Sequence, residues 1–537
     1  MSLQQSPSPP TIPGPSFPDE FRENQYTGED GLYLLHSAIA VGASYDSFER
    51  YPPPRCHPQT RKVVFEIILG WLNNANHGPR ILWVHSAPGS GKTAIAQTVS
   101  EYCAQSGQLG ATFFFSHCKG DLSDGRLLFP TIVYKLASSI PEIRVPLSRA
   151  IQADTSILNQ SLEVQIQKLI VEPYRTVPPP ALPTLIVIDA LDACSGDEMQ
   201  CRILTLIARL IIVHRLPLCF FVTSRLEPHL QGLFDTPVFC KLSTCIPLDA
   251  FPSDTDVRIF LRTEFASIQH HHRCTMATIN PDPWPSNDVL ELLVQNSGGQ
   301  FLYPATILKY VDDPCGMPAE RLMDVVVAAA SAPASMLAPI DQLYHHILSS
   351  SADSAALLRV LGPTAVLYAP LPPAQLALLL GAPEADVHVA LRDTHALVDG
   401  PAAPGQGVRV SQASTMEFLL DIRRGLQFWV EAGKYHAALA RGCIRYIAEY
   451  MDNADTLDLA SYQYVRRKWT RHLAQATPST ELLDDLGEVR FVYSRVPEEV
   501  QAVVAWLQKI PNPQDHLLHL WRGWQAELCS ARGCPLP

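Results

Sequence analysis

Ser86-Ala87-Pro88-Gly89-Ser90-Gly91-Lys92-Thr93 stands between an apolar run, Ile81-Leu82-Trp83-Val84, and a helix-forming stretch, Ala94-Ile95-Ala96-Gln97-Thr98-Val99. Strand, glycine-rich loop, helix is the order in which a chain builds a cradle for nucleotide phosphates. Gly89 and Gly91 let the backbone curl so that successive N–H groups face one anion, and the dipole at the helix N-terminus adds to the attraction. Lys92 is expected to reach the β- and γ-phosphates and the Thr93 hydroxyl to ligate Mg²⁺. The first position of the pattern G-x-x-x-x-G-K-[ST] is Ser86 here instead of glycine. An unusual φ at that serine would cost stability.

Composition bounds what surrounds this loop. The 537 residues are enough for about three or four domains. A hydrophobic content of 47% with 18% charged residues is that of a globular chain. The formal charge of −12 argues against a nucleic-acid partner held by bulk electrostatics. The longest apolar stretches do not suit a membrane span: Ile203–Val222 is broken by Arg209, His214 and Arg215, and Met323–Pro339 by prolines. No secretory leader is legible at the N-terminus. The 13 cysteines are odd in number and several sit inside apolar runs (Cys103, Cys219, Cys443), which reads as reduced thiols in a cytoplasmic protein. His270-His271-His272-Arg273-Cys274 lacks i, i+4 ligand spacing and reads as a solvated loop, not a metal site.

Residues 1–22 carry six prolines among serines and suit an extended tail. A helical patch is expected over Gly31–Ala43 and a helix over Arg61–Asn74. From Ile81 to Val222 apolar runs (Ile81–Val84, Ala111–Phe115, Leu185–Ile188, Leu218–Val222) alternate with helical stretches such as Leu127–Ser138 and Cys201–His214. That alternation predicts an α/β core, a parallel sheet with helices on both faces. After Pro252 helical segments dominate, with one β-like piece at Val408-Arg409-Val410 that suggests a small winged-helix module. The expected domains are a tail with a short helix at 1–50, a P-loop NTPase domain at 51–250, a helical domain at 251–350, a winged-helix-like domain at 351–432 and a helical region at 433–537. No internal repeat period is found.

Two further segments carry chemistry. Leu185-Ile186-Val187-Ile188-Asp189 is a buried strand ending in a carboxylate, where a Mg²⁺-directing Asp belongs, and Asp192 adds a second acid three residues on. Phe220-Phe221-Val222-Thr223-Ser224-Arg225 is a strand ending in polar residues. Beside the Asp strand, Thr223 and Arg225 would face the sheet edge where ligands bind, and Arg225 is a candidate for contacting a γ-phosphate.

In this order the three elements resemble the NACHT class of STAND P-loop NTPases, and in particular its fungal, basidiomycete-type, nephrocystin-3-like members. The likeness extends to Pro53-Pro54-Arg55-Cys56-His57-Pro58-Gln59-Thr60-Arg61, to Asp189-Ala190-Leu191-Asp192 and to Thr223-Ser224-Arg225-Leu226-Glu227-Pro228-His229. It continues through Ser297–Tyr303, Asp312-Asp313-Pro314 and Tyr464–Leu473. The resemblance implies ATP or ADP, with GTP as the alternative, and Mg²⁺ as cofactors. It places the nucleotide on Ser86, Ala87, Pro88, Gly89, Ser90, Gly91, Lys92 and Thr93, and the metal on Thr93 and Asp189. Asp189, Asp192 and Arg225 are its candidate catalytic residues. It further implies a signalling switch that works through self-association or protein partners. Two positions depart from the family: Ala193 stands where a glutamate usually follows Asp192, and Gln412 where a histidine would touch the diphosphate. The lost acid removes a group that could activate water, so slow hydrolysis is expected. The other readings are a nucleotide-binding scaffold without turnover and a P-loop kinase of small metabolites; the long helical half speaks against the kinase.

Overall fold

The computed structural model describes residues 30–117, 121–178, 183–276, 284–314, 316–331, 338–351, 353–392, 394–400, 407–452, 459–489, 496–510 and 515–532. The proline-rich stretch at 1–22 and most of the 400–407 loop lie outside them.

The first half is a five-stranded parallel sheet. Its strands are β1 (Ile81–His85), β2 (Leu109–Phe114), β3 (Thr184–Asp189), β4 (Leu218–Ser224) and β5 (Ser243–Pro247), in the order β2-β3-β4-β1-β5. The runs read as continuous apolar segments because both faces are covered, and successive side chains alternate between two cores. Ile81, Trp83, Phe113, Ile186, Ile188, Phe220 and Val222 pack on one face with the Leu128–Ser139 and Asp197–Ile212 helices. Leu82, Val84, Phe114, Leu185, Val187, Cys219 and Phe221 pack on the other with the Lys62–Asn73 and Lys92–Gln105 helices. Burying each large apolar side chain contributes about 1.5–3 kcal/mol, so the two-sided cover fixes the sheet firmly. β1 lies between β4 and β5, with Val84 opposite Thr223 and His85 opposite Ser224. This register brings the ends of β1, β3 and β4 to one edge.

The second half is helical and shares one continuous core from Val257 to Trp521. A two-stranded antiparallel hairpin interrupts it, β6 (Val398–Asp399) with β7 (Arg409–Val410), followed by the Ala413–Leu420 helix. The fold is thus an α/β P-loop core followed by a helix-rich half.

Three local expectations need correction. β5 went unread because Ser243-Thr244-Cys245-Ile246-Pro247 buries only Ile246, as an edge strand can. The Gly31–Ala43 patch is shorter, a helix over Asp30–His36 and a separate turn at Val41–Ala43. His270 and His271 end the Asp254–His271 helix instead of lying in a loop, and His272 pairs with Asp312 at 2.9 Å. No metal-binding cluster is formed among the described residues. Thr480–Glu488 is a further helix, its Ser479 side chain capping the Leu482 N–H.

Candidate functional site

The loop leaves β1 at His85 and ends in the first turn of the Lys92–Gln105 helix. Gly89 (φ 81°) and Gly91 (φ 95°) take its left-handed positions, as the sequence anticipates. Ser86 is not among the positive-φ residues, so the serine carries no backbone strain. Its buried hydroxyl instead bonds that of Ser90 and ties the loop across its base. Lys92 Nζ folds over the loop, donating to the carbonyls of Ser86 (2.8 Å) and Ala87 (2.9 Å). Burial lowers its pKa, and the Asp192 and Asp189 carboxylates oppose that shift.

Asp189 ends β3 fully buried, accepting a 2.6 Å hydrogen bond from Thr223 Oγ1 and another from the Thr93 hydroxyl. Burial raises its pKa against the pull of these hydroxyls and of Arg50. The two candidate metal ligands, Thr93 and Asp189, are therefore side by side. Thr223 also accepts from the Ala190 N–H at 2.9 Å, fixing the left-handed turn at Ala190 (φ 53°) that leads to Asp192. Thr223 thus positions Asp189. Asp192 is itself occupied: the Arg225 N–H donates to Oδ1 at 3.0 Å and Arg225 Nε lies 3.2 Å from Oδ2.

These residues wall a cavity of about 700 Å³. Pro88 to Thr93, Asp189, Asp192, Ala193 and Arg225 form one side; Ser86, which is buried, and Ala87, which is exposed, are not part of the lining. The helical half closes the other. The N–H groups of Phe301 and Leu302, at the start of the Leu302–Val311 helix, donate to Gly89 O at 2.9 and 3.1 Å. The hairpin supplies Val408 to Val410, with Ser411 to Ser414 following, Gln412 among them.

Several lining residues carry no role in the sequence reading. Arg61 donates through Nη2 to Ser90 O at 3.0 Å and through its backbone N–H to Asp256 at 2.8 Å, and its guanidinium lies 5.2 Å from the Phe301 ring centre. Arg50 stacks on Phe114, and burial lowers its pKa to about 10. Arg409 pairs with Asp399 at 3.0 Å and donates to the carbonyls of Glu49 and Tyr51, holding the hairpin to the segment before the sheet. Arg225 reaches past Asp192 to Glu417 on the Ala413–Leu420 helix. Arg61 closes a quoted motif and was a readable candidate; Glu417 had no local signal.

The cavity suits a nucleotide with Mg²⁺ on three grounds. Its volume is ligand-sized. Lys92 and the left-handed loop supply a cation and turned amides beside the Thr93–Asp189 pair. Arg50 Nε, Arg61 Nε and Gln412 Oε1 are buried with no hydrogen-bond partner, although all three residues line it. Buried polar atoms left in that state normally await a partner.

The family described as Nephrocystin 3, N-terminal, matches residues 65–225, a span that holds the loop, the Asp189 strand and Arg225. No curated protein matches the chain. Among solved structures, the chain is similar to a Pyrococcus horikoshii STAND protein with a tetratricopeptide repeat sensor (11% identity, TM-score 0.43, covering 92% of this chain and 67% of that one). It is also similar to a Walker-type ATPase of Pyrococcus abyssi (11% identity, TM-score 0.33, 68% and 97%). A third is Drosophila ORC bound to DNA (12% identity, TM-score 0.35, 70% and 97%). The match to the nephrocystin-3 N-terminal family covers the segment that builds the phosphate loop, the Asp189 strand and Arg225.

Proposed function

We infer that this chain is a nucleotide-dependent switch of the STAND type, binding ATP or ADP with Mg²⁺ and hydrolysing slowly. One observation carries the reading: a single ligand-sized cavity is walled at once by the phosphate loop, the Leu302–Val311 helix, the hairpin and the Arg50–Arg61 segment. A ligand touching all four can favour one arrangement of them over another, which is the thermodynamic requirement for a switch. In this reading Lys92 and the loop amides hold the phosphates, Thr93 and Asp189 hold the metal, and Arg225 lies at the phosphate end. The bound metal would neutralise phosphate charge. The chain would act in the cytoplasm through self-association or protein partners, across the NTPase, helical and winged-helix-like units anticipated from sequence.

A second reading, a scaffold that binds without turnover, is favoured by the state of the acids. Asp192 is engaged by Arg225, and Ala193 supplies no carboxylate. Phosphate release by purified protein separates the two. Slow release that Lys92→Ala abolishes supports the switch; nucleotide retention with release no faster than in Lys92→Ala supports the scaffold.

A further inference from the structure

A second cavity of about 710 Å³ adjoins the first. The two share Arg225, His117, Leu367, Ala413 and Met416, so those side chains are the partition between them. Beyond the partition the walls are largely apolar (Ala365, Val366, Leu420 and Ala432 among them), with one charged cluster, Glu417, Asp421 and Arg424, that lines the second cavity but not the first. Its position is at the phosphate end, because Arg225 also touches Asp192.

The Glu417 carboxylate lies between two guanidinium groups, paired with Arg225 on one side and 3.8 Å from Arg424 Nη1 on the other. Arg424 is held in place by Asp341, at 2.7 Å through Nη2 and 3.1 Å through Nε. Two fixed guanidinium groups facing one carboxylate make a fork that fits a tetrahedral oxyanion equally well. The Glu417 side chain is 30% exposed, so it can turn to solvent and vacate the fork.

We propose that the second cavity is a transit site for inorganic phosphate: Arg225 and Arg424 bind the oxyanion in exchange for Glu417, and phosphate enters or leaves there while the nucleoside diphosphate stays in the first cavity. This rests on the nucleotide reading above. Binding requires Glu417 to leave the fork, since the oxyanion takes its place between Arg225 and Arg424 while Asp192 and Asp341 keep their partners.

The test uses the full chain preloaded with a fluorescent ADP and Mg²⁺, to which beryllium trifluoride, a phosphate-sized mimic, is added. Leu420 and Ala432 line only the second cavity and come from different helices. Leu420→Trp and Ala432→Trp, filling it from either side, are expected to slow capture of the mimic at least tenfold without changing ADP affinity. Glu417→Gln, which frees the fork, is expected to speed capture severalfold. Capture at the wild-type rate in both tryptophan variants, capture limited by ADP dissociation, or no capture by ADP-loaded wild type would each overturn the proposal. Failure to bind the fluorescent ADP at all would instead overturn the nucleotide reading.

Discussion

At the scale of single residues the loop is shaped by two glycines and sealed by a third contact. A Cβ on Gly89 would stand 2.8 Å from Leu302 Cβ, at a φ of 81°. Gly89→Ala is therefore expected to destabilise by more than the about 1–2 kcal/mol that a left-handed alanine costs alone. Gly298→Ala, at φ 53° and ψ 34° in the left-handed region with nothing near its Cβ, is the control for backbone strain. Equal melting-point losses in the two variants would show that Leu302 does not press on the loop. Ala193→Glu returns a carboxylate to the cavity wall and is expected to raise hydrolysis by about a hundredfold, the low end of general-base effects. An unchanged rate would assign control of turnover to another group. The loop and both acids were legible because each is contiguous in sequence. Glu417 was not, since it meets Arg225 across 192 positions and has no motif of its own. Arg50 fell in the 1–50 segment read as a tail with a short helix, yet it packs on the ring of a core strand.

At the scale of elements, hydrophobic continuity located four strands within a few residues, and the polar edge strand β5 escaped it. The Ala432–Asp452 and Leu459–Gln475 helices lie, but for Ala432, in the region 433–537 read as helical, but the sequence gave no sign of what joins them. His436 Nδ1 and His472 Nδ1 are 2.9 Å apart in the core, with Tyr464 OH 3.0 Å from His472 Nε2 and the Tyr368 ring beside both imidazoles. Burial lowers the pKa of His436 to about 4 and that of His472 well below its ordinary value, with Lys468 and His436 adding to the latter. Between those values and the unfolded value near 6.5 the unfolded chain binds more protons, so stability is full above that pH and falls as pH drops. His436 alone accounts for about 3 kcal/mol lost by pH 4. Melting temperature followed from pH 7.5 to 4.5 should fall steeply, and His436→Asn should flatten the slope. An equal slope in the variant would place the acid sensitivity elsewhere.

At the scale of the whole molecule, the two halves meet through the cavity. Gly89 accepts from the Phe301 and Leu302 N–H groups, Arg225 bridges to Glu417, and Arg409 bridges to Glu49 and Tyr51. Lys468 and Arg471, one helix further on, pair with Asp121 at 3.2 and 3.0 Å, beside the cavity-lining Leu122. None of these pairings is deeply buried throughout, which suits contacts that form and break. Glu417→Gln should weaken the closed arrangement by about 1 kcal/mol at most, a roughly fivefold faster release of bound nucleotide. Unchanged release would mean that the Arg225 bridge does not hold the halves together. The central claim is that the loop at Ser86–Thr93 holds a nucleotide, and the direct measurement is the nucleotide retained by purified chain and by Lys92→Ala. The account predicts a single nucleotide per wild-type chain, released on denaturation, and none on a variant whose circular dichroism and melting are unchanged. Equal retention by Lys92→Ala, or wild-type chain that neither carries nucleotide nor binds added Mg-ATP or Mg-GTP, would contradict it.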